Sequence, residues 1–164
     1  MNNLPSYQPS DDYFMREAIK QAHLAAARDE VPVGAVVVHE NRIIARAYNQ
    51  VELLRDPTAH AEMIAMTQAA AALQSKWLLN CVLYVTLEPC AMCAGAIVLA
   101  RMARLCFGAS DPKAGACGSV LNIVEHAKLN HAVATEQGPY ADVCGALLSE
   151  FFQRKRQEKR ENNP

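Results

Sequence analysis

The sequence predicts an α/β domain built on one sheet that helices cover on both faces, and three observations predict it. Helical spacing and short β-branched runs follow one another in the order α-β-β-α-β-α-β, then β and α. The strand runs are apolar at consecutive positions, as strands covered on both sides are. The 164 residues suffice for a single core, since a chain of this size buries on the order of 70% of the surface it exposes when unfolded.

Each element has its own signal. Ser10, Asp11 and Asp12 offer a cap and negative charge before Phe14, Ala18, Ile19, Ala22, Ala25 and Ala26, which recur at helical spacing to about Arg28. Val33 to Val38 and Ile43 to Tyr48 flank the polar turn His39-Glu40-Asn41-Arg42 and read as a hairpin. A loop holding Asp56 and Pro57 leads to a second helix, about His60 to Leu73. Val82 to Thr86 reads as a strand, and Pro89 as the start of a helix through about Arg101. Leu105 to Phe107 is a brief strand, Asp111 to Ser119 a loop, Val120 to Ala127 a short helix, and Ala132 to Glu136 a final strand. The last helix, about Ala141 to Arg160, carries the stripe Val143, Leu147, Leu148, Phe151 and Phe152 and then turns polar, so its first half should dock and its second half project.

Composition narrows the function. Half of the residues are hydrophobic and no low-complexity tract interrupts the chain, which excludes a disordered protein and gives one domain over residues 1–164, with a core of about 12–152 and a polar helix end and tail at 153–164. The net charge of −1 supplies no global field for a polyanion, so any nucleic-acid contact must come from local clusters of Lys and Arg. No basic-then-apolar leader opens the chain and no apolar segment is long enough to span a bilayer, so a cytoplasmic protein without a membrane partner is expected. In that compartment the six cysteines are thiols or metal ligands, and only Cys90 and Cys93 form a motif.

His60-Ala61-Glu62 and Pro89-Cys90-Ala91-Met92-Cys93 together offer one imidazole and two thiolates, a donor set that suits zinc and leaves a fourth position open. Cys90 and Cys93, three apart at a helix start, present both sulfurs on one face, where the helix end favours thiolate. His60 and Glu62 would diverge in mid-helix, so they share a site only if His60 stands at the helix entrance, where the backbone is not yet regular. Glu62 is then the candidate to take and return a proton beside a metal-activated water. Two other readings use the same residues. A fourth ligand from Cys81, Cys106, Cys117 or His126 would close the site into a structural one, and the C-x-x-C pair alone would suit redox exchange.

The H-x-E and P-C-x-x-C pair resembles the signature of the zinc nucleobase deaminases, tRNA adenosine deaminase among them. Glu30 to Ala35, Asn49, Asp56 to Glu62, Leu83 to Ala96, Phe107-Gly108-Ala109 and Gly115-Ala116 resemble the bacterial tRNA-specific adenosine deaminases of the cytidine-deaminase-like superfamily, over roughly residues 12 to 156. The resemblance implies a three-layer α/β/α fold with a five-stranded mixed sheet, a homodimer, one Zn(2+) per subunit, and hydrolysis of the wobble adenosine in a tRNA anticodon stem-loop to inosine. It carries over His60, Cys90 and Cys93 as metal ligands, Glu62 as the catalytic proton shuttle, and Asn49 and the backbone around Ala61 as contacts to a flipped-out nucleotide. Asp111 and Lys113 are implied as RNA-positioning residues of the loop after Ala109. Ala114 and Cys117 stand where some members of the family carry Thr and Ala.

The tail adds Arg154, Lys155, Arg156, Lys159 and Arg160 beside Phe151 and Phe152. It reads either as phosphate contacts with Phe152 as a stacking platform, or as a solvated helix end whose cations complement the dipole. Rival functions keep the motif and change the substrate, a cytidine or guanine deaminase acting on free nucleosides or bases, or discard catalysis for a zinc-stabilised RNA-binding module.

Overall fold

A computed structural model of the chain describes residues 9–163, with side chains from Asp11 to Asn163. Residues 1–8 lie outside the described residues, as does the side chain of Ser10, the expected cap, whose backbone is already within α1. The elements are α1 (Pro9–Ala27), β1 (Gly34–His39), β2 (Arg42–Tyr48), α2 (Val51–Leu54), α3 (Ala61–Leu73), β3 (Cys81–Leu87), α4 (Ala91–Leu99), β4 (Arg104–Ala109), β5 (Ala134–Gln137) and α5 (Ala141–Asn162).

The five strands form one sheet in the order β2-β1-β3-β4-β5. β1 runs antiparallel to β2 and to β3, while β3, β4 and β5 are parallel, which makes the sheet mixed as expected. The parallel connections require crossovers, and α4 supplies the one from β3 to β4. Alternation along the strands assigns the faces. Ala35, Val37, Leu83, Val85, Leu105 and Phe107 pack with Ala65, Ala69 and Ile97 of α3 and α4, whereas Val36, Val38, Tyr84 and Cys106 pack with Phe14, Met15 and Ala18 of α1 and Cys144 of α5. The result is the three-layer α/β/α arrangement. Helix α1 crosses β1 at Gly34 so closely that a Cβ there would lie 2.1 Å from the Ala18 carbonyl oxygen.

Four expectations change. Asp11 does more than charge a helix start, because it is buried and binds the Arg104 guanidinium through both oxygens at 2.9 and 2.7 Å and accepts the Tyr84 hydroxyl at 2.6 Å. Pro89 does not begin α4. Cys90 is the residue at the N-terminal cap, and the Pro89 carbonyl instead accepts the Ala116 amide at 2.8 Å. Residues 120–127 form no helix, since the Val120, Leu121 and Ile123 amides donate to the carbonyls of Gly115 and Ala116, and Cys117 bridges Asn122. The stripe of α5 holds in part: Phe151 is buried and Leu148 packs against the core as expected, while Val143 and Phe152 are exposed and Cys144 is buried instead.

Candidate metal centre and its cleft

The strands β3 and β4 and the helices α3 and α4 bring four segments together at one edge of the molecule. The turn before α3 is built by Asp56, whose Oδ1 accepts the Thr58 amide at 2.8 Å and its hydroxyl at 2.7 Å. The next element is pinned from the end of β2. Asn49 Oδ1 accepts the Ala61 amide at 2.8 Å, satisfying one of the donors that a helix start leaves without a partner. His60 is thereby left in extended conformation (φ −74°, ψ 151°) as the cap residue of α3. This is the irregular entrance that the His60-Glu62 spacing demanded. Cys90 holds the matching place on α4 (φ −72°, ψ 175°), with Cys93 one turn inside the helix.

His60 Nδ1 lies 3.6 Å from Cys90 Sγ and 3.5 Å from Cys93 Sγ. A tetrahedral ion with Zn–N of about 2.1 Å and Zn–S of about 2.3 Å sets nitrogen and sulfur about 3.6 Å apart, so the trio fits a metal ion as it stands. All three donor atoms lie within 4.8 Å of one another, and among the described residues no fourth His, Cys, Asp or Glu joins the group. The closed structural site weighed from sequence would have needed Cys81, Cys106, Cys117 or His126 there. The chemistry of the donors also suits a cation. Hydrogen bonds from Cys93 and His60 pull the Cys90 thiol down to about 3, and the hydrogen bond with Cys90 raises the His60 imidazole. The positive ends of α3 and α4 face this group together.

Glu62, in the first turn of α3, is 4% exposed. Burial pushes its carboxyl up to about 7, against the pull of its own backbone amide and of His60. A carboxyl poised near neutrality can hold a proton and hand it on. Glu62, His60, Cys90 and Asn49 line one cleft with Asp111 and Lys113. Its volume of about 1260 Å³ exceeds the roughly 300–1,000 Å³ of an ordinary small-ligand pocket.

The remaining expected residues fall around this cleft. Asn49 lines it, and with its oxygen committed to Ala61 it has its Nδ2 donors left for an incoming group. Ala61 is fully buried and its amide is engaged by Asn49. Asp111 folds the loop tip by accepting the amides of Lys113 and Ala114 at 3.0 and 3.2 Å, and Lys113 is exposed at the rim. Phe152, 44% exposed, also lines the cleft, with Lys155 and Arg156. Arg154 and Lys155 bind Asp29, which ties the projecting half of α5 to the loop after α1.

Sequence reasoning missed two buried carboxylates. Glu30 accepts the amides of Glu52 and Leu53 at 3.1 and 2.7 Å and so holds α2, itself unforeseen, beside the cleft. Glu88 holds the loop on the other side. Burial raises its carboxyl, but hydrogen bonds from the Ser119 hydroxyl and the amides of Asp111, Ser119 and Cys117 outweigh that and lower it. For Glu88 the available signal was an acidic residue at the end of a largely apolar run, whereas Glu30 follows Arg28 and Asp29 and gave none.

The chain is similar to known deaminases over most of its length. The family of MafB19-like deaminases matches residues 9–156. The tRNA-specific adenosine deaminase of Aquifex aeolicus (strain VF5) is 48% identical over 145 residues, which is 88% of this chain and 95% of that one. A structure from biochemical and structural studies of A-to-I editing by tRNA:A34 deaminases at the wobble position superimposes with a TM-score of 0.81 at 43% identity, over 84% of this chain and 99% of that one. The guanine deaminase of Nitrosomonas europaea superimposes less well, with a TM-score of 0.75 at 26% identity, over 92% of this chain and 88% of that one.

Proposed function

The chain belongs to the tRNA-specific adenosine deaminases, within the MafB19-like deaminase family, and from that premise we propose that it hydrolyses the wobble adenosine of a tRNA anticodon to inosine and releases ammonia. The observation that carries the reading is the three-donor group of His60, Cys90 and Cys93, which with the buried Glu62 opens through His60, Cys90 and Glu62 onto a cleft too large for a base alone. One Zn(2+) per chain is the ion these donors fit.

When bound in such a three-ligand site, zinc supplies a Lewis acid that makes water nucleophilic near neutral pH. His60, Cys90 and Cys93 would hold it. Glu62 takes a proton from the attacking water, delivers it to N1 of adenine, and passes a second one to the departing amine, so adenosine and water become inosine and ammonia. Because C6 is unreachable in a stacked base, the adenosine must be turned out of the anticodon loop into the cleft. Asn49, its oxygen held by the Ala61 amide, gives Nδ2 to the extruded base, and the Ala61 backbone takes part through that link. Asp111, Lys113 and Phe152, which line the same cleft, position the flanking nucleotides. The protein works in the cytoplasm as a single deaminase domain over residues 1–164. A homodimer is supported by apolar side chains left open to solvent, among them Leu53, Leu54 and Leu99, the last 79% exposed.

The test is inosine detection in an anticodon stem-loop bearing a wobble adenosine, with free adenosine, cytidine and guanine as controls, run on wild type and Glu62→Ala. The stem-loop alone should be deaminated, and Glu62→Ala should keep zinc and fold while losing at least about a hundredfold in rate, the usual contribution of a general acid-base group. Turnover of guanine or cytidine in place of the stem-loop would transfer the site to one of those substrates. Wild-type protein inert on all four would mark an RNA-binding module.

A further inference from the structure

Glu88 stands between β3 and Cys90, is 2% exposed, and has no part in the proton transfers above. We propose that Glu88 is a positioning residue that clamps the loop 111–119 against the metal-binding turn and so sets how tightly the RNA is held; this rests on the reading of that loop as an RNA-facing wall. Both of its oxygens are filled. Oε2 accepts the Asp111 amide at 2.9 Å and the Ser119 hydroxyl, while Oε1 accepts the amides of Cys117 at 3.1 Å and Ser119 at 3.0 Å.

One carboxylate therefore pins the first and last residues of a nine-residue loop that contains neither helix nor strand. The attachment continues into the site on both sides. The Glu88 amide donates to the Ala109 carbonyl and the Ala116 amide to the Pro89 carbonyl, each at 2.8 Å, so the residue before Cys90 is tied to the same loop. From Asp111 the fixation passes to the tip, where its carboxylate accepts the amides of Lys113 and Ala114. A buried carboxylate persists only when its lone pairs are satisfied, and four donors converge on this one. The close approach requires glycine. A Cβ on Gly115 would stand 2.4 Å from Glu88 Cδ and 2.6 Å from the Asp111 carbonyl oxygen.

Two substitutions break the clamp from opposite sides. Glu88→Gln replaces one accepting oxygen with a donor that opposes an amide, and Gly115→Ala pushes the loop away while keeping the carboxylate. In full-length zinc-loaded protein, amide hydrogen exchange across residues 111–119 should rise in both variants with zinc at wild-type stoichiometry. KM for the stem-loop should rise about tenfold, the value of one hydrogen bond to a charged group, with kcat within about threefold. Ser119→Ala, which removes one of the four donors at an exposed residue and leaves the carboxylate in place, should shift exchange and KM in the same direction by less. Unchanged exchange in the variants that fold would overturn the proposal, as would lost zinc or a fall in kcat at constant KM, since Glu88 would then serve the metal turn or the chemistry. Should wild type fail on the stem-loop, the RNA reading fails with it, and exchange alone still decides whether Glu88 holds the loop.

Discussion

A thiol reagent separates Cys90 from the other cysteines, because only thiolate reacts. Burial pushes Cys81 and Cys144 up to about 11 and Cys106 and Cys117 up to about 12, so at pH 7 these four are protonated and inert. Cys90, at about 3, is thiolate throughout the neutral range. Removing the metal with a chelator should therefore expose one fast site, with iodoacetamide labelling Cys90 first by mass spectrometry, and stoichiometric zinc should prevent it. Equal labelling of Cys117 and Cys90 would contradict this account. At this scale the sequence was informative about the ligands and silent about their supports. His60, Glu62, Cys90 and Cys93 announce themselves by donor type and spacing. Glu30 and Glu88 do not, since what marks a clamping carboxylate is the set of backbone amides converging on it from segments more than twenty residues away.

Among the elements, α5 divides as its sequence indicated, an inner half against β4 and a polar outer half. The stripe's margins were misplaced because periodicity alone leaves the edges of a stripe open, and packing on the Cys106 face of the sheet chose Cys144 while Val143 stayed exposed. The outer half is anchored. Arg154 and Lys155 sit 5.3 and 5.7 Å from the centre of the Phe151 ring and pair with Asp29, while Lys155 and Arg156 reach the cleft. If these cations meet phosphates, replacing Arg154, Lys155 and Arg156 with Ala should weaken stem-loop binding and flatten its dependence on salt by roughly 2 in log-log slope, about 0.7 per contact. A slope identical to wild type would leave them as a solvated helix end bound to Asp29. The segment 120–127 was misread for a related reason. Its composition allows a helix, but its amides find partners at Gly115 and Ala116, a pairing that only the folded loop creates.

At the level of the whole molecule, the metal trio exists only because two helix starts, 30 residues apart in sequence, are carried to one place. Asn49 at the end of β2 fixes α3, and the parallel pairing of β3 with β4 brings Glu88 and Cys90 to the loop beyond Ala109. The order of elements and the mixed sheet were legible because binary patterning and the family motifs cover most of the chain. The sheet's pairing order and the identity of the side chains closing the cleft were not, being products of packing between distant segments. Metal binding is accordingly coupled to the fold, and the ligand sphere reports on both. Zinc K-edge absorption on the purified protein tests the central claim most directly. One zinc per chain with two sulfurs at about 2.3 Å and two lighter scatterers at about 2.0–2.1 Å is the predicted result, one light atom being the His60 nitrogen and the other a solvent oxygen. Protein purified without zinc, or a sphere containing a third sulfur, would contradict it.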